Sequence, residues 1–224
     1  MPEISIIIPA HNEGKCIERI LNSVKDSDYK NYEIVVICDS CSDDTEKISK
    51  KFTKRVYKVK FKNTSKNRNF GAKKAKGKIL VFLDADTKIS KSYLQMIKKS
   101  VDKGAQYGTA KWVNETNSLF GKYWAWGNNR ANKRSKTISG NCFVTKEVFE
   151  KVRGFDETMK KGEDTDLGDR LRQNNKNYIF IEDTYYIPSE RKYEKSWFNF
   201  WTKAILESWL YKLSKKSYKK KFSH

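Results

Sequence analysis

Short runs of β-branched and aliphatic residues recur along the first hundred positions, separated by polar stretches. Ile4 to Ile8 is closed by Pro9, and Tyr32 to Ile37 is a second run of the same kind. Runs this long, bounded by turn signals, read as buried strands. Between them Cys16, Ile17, Ile20, Leu21 and Val24 repeat at the spacing of one helix face. The alternation continues with a polar helix from about Asp43, a strand at Val56 to Phe61, a helix through Phe70 to Ala75 and a strand at Ile79 to Leu83. Tyr93, Leu94, Ile97 and Val101 mark the next helix.

Strands alternating with helices predict a mostly parallel sheet covered on both faces, with ligands beyond the carboxyl ends of its strands. Three polar loops follow strands in that position: His11-Asn12-Glu13, Asp39 to Asp44, and Asp84 to Asp86. Exposure alone makes many such loops polar, so their clustering is a pointer and no more. Past Trp112 the alternation breaks down. A polar, aromatic stretch runs to about Thr137, a short strand follows at Cys142 to Thr145, and helices are expected near Lys146 to Val152 and Glu163 to Asn174. With no repeat or low-complexity linker, residues 1–195 read as one domain and 196–224 as an appended element.

At 224 residues the chain suits one ordinary domain. Forty-seven Lys and Arg against 27 Asp and Glu leave a net charge of +20. Such a field attracts phosphates, nucleic acid or anionic lipid headgroups without choosing among them. Scattered lysines such as Lys47, Lys50 and Lys51 read as surface solvation. No charged-then-apolar leader precedes Ile4 and no apolar run approaches a bilayer span, so a cytoplasmic location is expected. The four cysteines, Cys16, Cys38, Cys41 and Cys142, are then expected to be reduced thiols. The Cys38–Cys41 pair lacks the partners of a closed zinc site.

Asp84 and Asp86, on alternate positions at a strand end, can serve one hard cation together with a substrate diphosphate. Taken alone, an Asp-x-Asp is more commonly a solvated acidic turn. Glu163, Asp164 and Asp166 can likewise be first-turn acids that complement a helix N-terminus. These elements are not alone, however. In order the chain reads SIIIPAHNE at Ser5 to Glu13, VVICDSCSDDT at Val35 to Thr45, RNFGAKKAKGKILVFLDAD at Arg68 to Asp86, GFDE at Gly154 to Glu157, and GEDTDLGDRLR at Gly162 to Arg172. In that order and spacing they closely resemble glycosyltransferase family 2 over roughly residues 3 to 195.

The resemblance implies a GT-A fold, a Rossmann-like, mostly parallel central sheet flanked by helices, here with a C-terminal amphipathic helix. It implies inverting transfer of a sugar from a nucleotide-diphosphate donor, UDP-linked by default, to a hydroxyl or lipid-phosphate acceptor, carbohydrate or lipid-linked. Carried over by position, Pro9, Ala10 and Glu13 line the nucleotide pocket and Asp39 recognises the base. Arg68 lies near the base or diphosphate, and Asp84 faces the ribose and phosphates. Asp86 ligates Mn or Mg, and Asp164 is the general base. Ser189 to Tyr193 resembles a Ser-x-Arg-Arg-aromatic segment of one branch, in which Arg191 clamps the diphosphate; a solvated basic turn is the alternative. Family members often carry Asp-Gly-Ser where this chain has Asp39-Ser40-Cys41. The Gln-x-x-Arg-Trp segment of processive synthases is missing, which points to single additions.

Beyond Ser196, Trp197, Trp201, Ile205 and Trp209 recur every fourth residue, and lysines follow at Lys212, Lys215, Lys216 and Lys219 to Lys221. This pattern suits a helix lying in an anionic membrane interface, or one packed on the domain. With Trp124 and Trp126 it favours a lipid-linked acceptor. The rival function is a catalytically silent basic module that binds anionic membrane or nucleic acid. Acids at three strand ends argue against it, because they repel phosphates unless a cation intervenes. Nucleic acid is thus the less expected partner.

Overall fold

The computed structural model describes residues 1–115, 119–159, 161–174 and 176–189, and within these Met1–Pro188 form one compact unit. The candidate clamp Arg191 and the Trp-rich residues 196–224 lie outside the described residues.

The strands are β1 (Ile4–Ala10), β2 (Tyr32–Asp39), β3 (Val56–Val59), β4 (Ile79–Phe82), β5 (Lys88–Ile89), β6 (Tyr107–Trp112), β7 (Cys142–Thr145) and β8 (Tyr178–Ile187). They make one sheet in the order β3-β2-β1-β4-β7-β6-β8-β5. The first four are parallel, as the strand and helix alternation requires. β7 then runs antiparallel to both β4 and β6, β8 returns parallel to β6, and β5 pairs antiparallel with β8. In register, Ala10 pairs with Cys38 and Ile7 with Phe82, so the loops after β1, β2 and β4 open on one edge.

Side-chain alternation sends the two halves of each apolar strand into separate cores. Ile4, Ile6 and Ile8 pack with Ile17, Ile20 and Leu21 of helix α1 (Ile17–Lys25). Ile7, Val35, Ile37 and Phe82 pack on the opposite face with Phe149, Phe155 and Leu167. The remaining helices are α2 (Thr45–Ser49), α3 (Thr64–Lys74), α4 (Tyr93–Asp102), α5 (Leu119–Ser135), α6 (Lys146–Lys151) and α7 (Glu163–Gln173). α3 begins well before Phe70 because Asn63 caps it, its side chain accepting from the Lys66 N–H at 2.9 Å.

The stretch after Trp112 is not irregular: it contains the long helix α5. Its aromatic and asparagine-rich sequence carries no continuous apolar stripe. It is fastened to the sheet by Asn129, whose side chain accepts from the Trp112 N–H at 2.8 Å and donates to the Trp112 carbonyl at 2.9 Å. Asp84 and Asp86 also sit in the turn after β4, not on the strand itself, which ends at Phe82. Among the described residues no helix is long and apolar enough to cross a membrane.

Candidate active site

The loops after β1 and β2 are laced together. Asn12, in the left-handed region with φ 52°, accepts from the Ser42 N–H at 2.8 Å. Asp43 accepts from the Gly14 N–H at 2.9 Å and the Thr45 N–H at 3.0 Å. Thr45 Oγ1 in turn receives the Glu13 N–H at 2.7 Å, while the Glu13 carboxylate accepts from the Cys16 thiol at 2.8 Å. Pro9 and Ala10 end β1 beneath this lacing, with Ala10 buried.

Asp39 is the buried acid of the second loop, 3% exposed. Its carboxylate accepts from Asn67 Nδ2 at 2.9 Å, Ser40 Oγ at 3.0 Å and the Asn63 N–H at 3.3 Å. Burial pushes its pKa up, but these bonds and one from the Lys62 N–H outweigh burial and hold it below the ordinary value. A pre-ionised acceptor therefore stands at the mouth of β2. The intervening thiols are free, and burial, then Cys41, pushes Cys38 up to about 12, which leaves it unreactive.

The turn after β4 is clamped from below by Asn141. Its Oδ1 accepts from the Asp84 N–H at 3.0 Å and from Thr87 Oγ1 at 3.1 Å. Asp86 is half-buried in this turn between the buried residues Ala85 and Thr87. The backbone of Gly140 passes so close that an added Cβ would lie 2.8 Å from Asp84 Oδ2 and 2.9 Å from Arg68 Nη2. Only glycine leaves that approach open.

Arg68 joins the two ends of the site. Its side chain, 4% exposed, projects from α3 and donates Nη2 to Asp84 at 3.0 Å and Nη1 to Glu163 at 2.7 Å. Its guanidinium carbon lies 5.2 Å from the centre of the Phe155 ring. Asn69 pins the Gly154–Glu157 segment that carries this ring, bonding to both the N–H and the carbonyl of Phe155 at 2.9 Å. Burial opposes the Arg68 charge, but Asp84, Glu163 and Asp164 together hold its pKa above the usual value.

The three acids that open α7 divide by role. Asp166 is bound to Arg170 at 2.8 Å, and Arg170 also donates to the Gly154 carbonyl at 2.7 Å, a structural fastening of the Gly154–Glu157 segment. Glu163 belongs to Arg68. Asp164 accepts from the Thr165 N–H at 2.7 Å and the Thr165 hydroxyl at 3.4 Å. Burial pushes its pKa up; Arg68 pulls it down, and Glu163 and Asp84 add to the rise. A carboxyl at a helix N-terminus is ordinarily favoured as the anion. Here its surroundings override that preference, as they do for acids poised to exchange protons.

The structure thus gathers Arg68, Asp84 and Glu163–Asp164 into one constellation, with Asp86 in the adjoining turn. Asp39, Pro9, Ala10 and Glu13 lie along the same edge after neighbouring parallel strands. The sequence reading missed Asn67, Gly140 and Asn141. Ser139-Gly140-Asn141 carries a turn signal before β7, but its partner, the Asp84 turn, is remote in the chain.

An α/β sheet with an Asp-x-Asp turn and a Glu-Asp helix start on one edge defines the GT-A class. The family model described as Glycosyl transferase family 2 matches residues 5–155, and the chain belongs to that family. Among curated proteins it resembles the GalNAc(5)-diNAcBac-PP-undecaprenol beta-1,3-glucosyltransferase of Campylobacter jejuni, 28% identical over 111 residues, covering 46% of this chain and 36% of that protein. Glycosyltransferase GlyA of Streptococcus pneumoniae is 25% identical over 233 residues, covering 92% and 33%. The match therefore spans about a third of the length of these relatives. The fold is shared with Staphylococcus aureus TarS 1-349 in complex with UDP-GlcNAc, at TM-score 0.69, 22% identity, and coverage of 85% of this chain and 59% of that one. It is shared also with the mannosyltransferase PcManGT from Pyrobaculum calidifontis in complex with GDP-Man and Mn2+, at TM-score 0.73, 18% identity, and coverage of 89% and 59%.

Proposed function

We propose that this chain is the catalytic module of an inverting glycosyltransferase that takes a sugar from a UDP-sugar and passes it to a carbohydrate or lipid-linked acceptor. One observation carries the proposal. Arg68 ties the Asp84 turn to the Glu163–Asp164 helix start, so a carboxylate of raised pKa stands beside the acidic turn. In the proposed step an acceptor hydroxyl attacks the anomeric carbon as the bond to the diphosphate breaks. Asp164 takes the hydroxyl proton, and the nucleoside diphosphate leaves. Asp39, fixed as an anion at the end of β2, would accept from an N–H of a base in exchange for one of its present donors, such as the Ser40 hydroxyl.

Among the described residues no three His, Cys, Asp or Glu gather into a metal site of their own. The carboxylate oxygens of the turn after β4, Asp86 foremost, suit Mg or Mn completed by donor phosphates and water, the habit of a hard cation with a diphosphate. When bound, such a cation neutralises charge on the departing diphosphate. UDP is proposed over GDP on the UDP-GlcNAc complex of TarS, which is also 33% identical to this chain over 103 residues, against the GDP-Man complex of PcManGT. Titration calorimetry with UDP and GDP, each with Mn, tests the donor site; the absence of binding by both sinks the proposal. Asp164→Asn is expected to bind the nucleotide as the parent does and to lose transfer.

A peripheral location on an anionic, cytoplasmic membrane face is proposed from the sequence pattern of residues 196–224 alone. Sedimentation with anionic liposomes, with and without those residues, tests it, and equal binding by both forms refutes it.

A further inference from the structure

Along α5, Tyr123, Trp126 and Arg130 stand at spacings of three and four residues and so share one face of the helix. The Tyr123 and Trp126 rings lie 5.8 Å apart, tilted by 31°, and the Arg130 guanidinium carbon sits 5.7 Å from the centre of the Trp126 ring. Both rings are open to solvent, 60% and 56% exposed. Two large aromatic side chains displayed side by side, under a cation, mark a ligand surface more than a core.

Trp126 and Arg130 form one wall of an open cleft of about 1080 Å³, whose other walls include Lys111 and Trp112 of β6 and Asp183 of β8. Because β7 runs antiparallel to both β4 and β6, the end of β6 that carries Lys111 and Trp112 lies on the same sheet edge as the turn after β4. Thr109 of β6 donates to the Asn141 carbonyl at 2.8 Å, and Asn141 holds the Asp84 backbone. From Thr109 the strand runs on to Trp112, roughly 10 Å at about 3.3 Å per residue.

The charge of the cleft is uneven. Glu182 is paired with Lys133, and Glu115 with Arg19. Lys111, Lys122, Arg130 and Lys133 line the cleft with Glu115, Glu182 and Asp183, and since Glu115 draws on Arg19 from outside the cleft the balance is positive. Aromatic faces carry negative potential and attract the C–H faces of a sugar ring. Guanidinium and ammonium groups select phosphate or carboxylate, and Asp183 can accept from hydroxyls.

We propose that this cleft is the acceptor subsite and that it takes an anionic saccharide, a sugar chain bearing phosphate or carboxylate groups. The proposal rests on the transferase function above. The test is retention of the full chain on a printed array of matched oligosaccharides in three series: phosphorylated, uronate-bearing and neutral. Retention by either anionic series, weakened roughly tenfold in both Trp126→Ala and Arg130→Gln, supports it, and the series that is retained identifies the anion. Retention by neutral sugars alone, retention unchanged in the variants, or no retention overturns it. Nucleotide titration of the same three proteins separates the two proposals. Failure of the parent to bind any nucleoside diphosphate with Mn refutes the transferase function, whereas intact nucleotide binding with unchanged glycan retention refutes only the acceptor cleft.

Discussion

Arg68 Nη1 donates to Glu163 at 2.7 Å from a side chain that is almost wholly buried. Its other nitrogen reaches Asp84 at 3.0 Å, so one cation neutralises acids from two distant segments. Removing it leaves Glu163, Asp84 and Asp164 facing one another. Arg68→Met is expected to cost about 3 kcal/mol in urea unfolding, most of it from Glu163, since Asp84 is 40% exposed and partly screened by water. Arg68 also pulls the Asp164 pKa down. The acidic limb of the pH–rate profile should therefore move to higher pH in the variant. A limb that stays put would show that the base does not sit beside Arg68.

Asp39→Asn tests whether that carboxylate contributes to the fold. Asparagine keeps one oxygen and must turn its NH2 group either on Asn67 and the Asn63 N–H, which meet Oδ2, or on the Ser40 hydroxyl, which meets Oδ1, so at least one present donor loses its acceptor. A loss of roughly 1–3 kcal/mol is expected at pH 7. Because the folded pKa is depressed, the stability that Asp39 contributes is present above its unfolded value and lost as pH falls through the folded one. The two proteins should therefore converge in stability in acid. Equal stability at every pH would mean that the bonds contribute nothing.

Much of this edge is readable from the chain because β1, β2 and β4 announce themselves as apolar runs. Parallel neighbours must end on the same side, so the placement of Asp39 and of the Asp84 turn follows. The role of Arg68 does not follow. It sits on a helix whose apolar pattern is weak, and its meaning comes from partners contributed by β4 and α7. Helix α5 was hidden for a related reason: its tie to the sheet is a side-chain bond from Asn129 to the backbone of Trp112, and no periodicity records it. The antiparallel insertion of Cys142–Thr145 between β4 and β6 is equally non-local.

Gly140→Ala places a methyl group 2.8 Å from Asp84 Oδ2 and 2.9 Å from Arg68 Nη2. Arg68 is pinned by Glu163, whereas Asp84 is partly exposed, so Asp84 is the group expected to give way. Overpacking of this kind costs about 1–3 kcal/mol. Nucleotide affinity with Mn should fall roughly tenfold, with the fold retained by circular dichroism. Unchanged affinity would show that the position of Asp84 does not matter to the donor.

Asp164→Asn should trade activity for stability. The carboxyl of Asp164 has a folded pKa above the ordinary value, raised first by burial and then by Glu163 and Asp84, against the pull of Arg68. For a group shifted in that direction, the stabilising contribution is complete below the unfolded pKa and is lost as pH rises through the folded one. At pH 7 the parent therefore carries an unfavourable, half-buried anion that asparagine avoids. The variant is expected to melt at a higher temperature than the parent at pH 7, with the difference vanishing near pH 3, while transfer falls by about 10²-fold or more. A stabilised but inactive variant is the usual mark of an acid retained for chemistry at the expense of the fold. If Asp164 were only a helix-capping acid, its removal would lower the melting temperature at neutral pH and leave transfer intact, so thermal melts at two pH values and one transfer assay separate the roles.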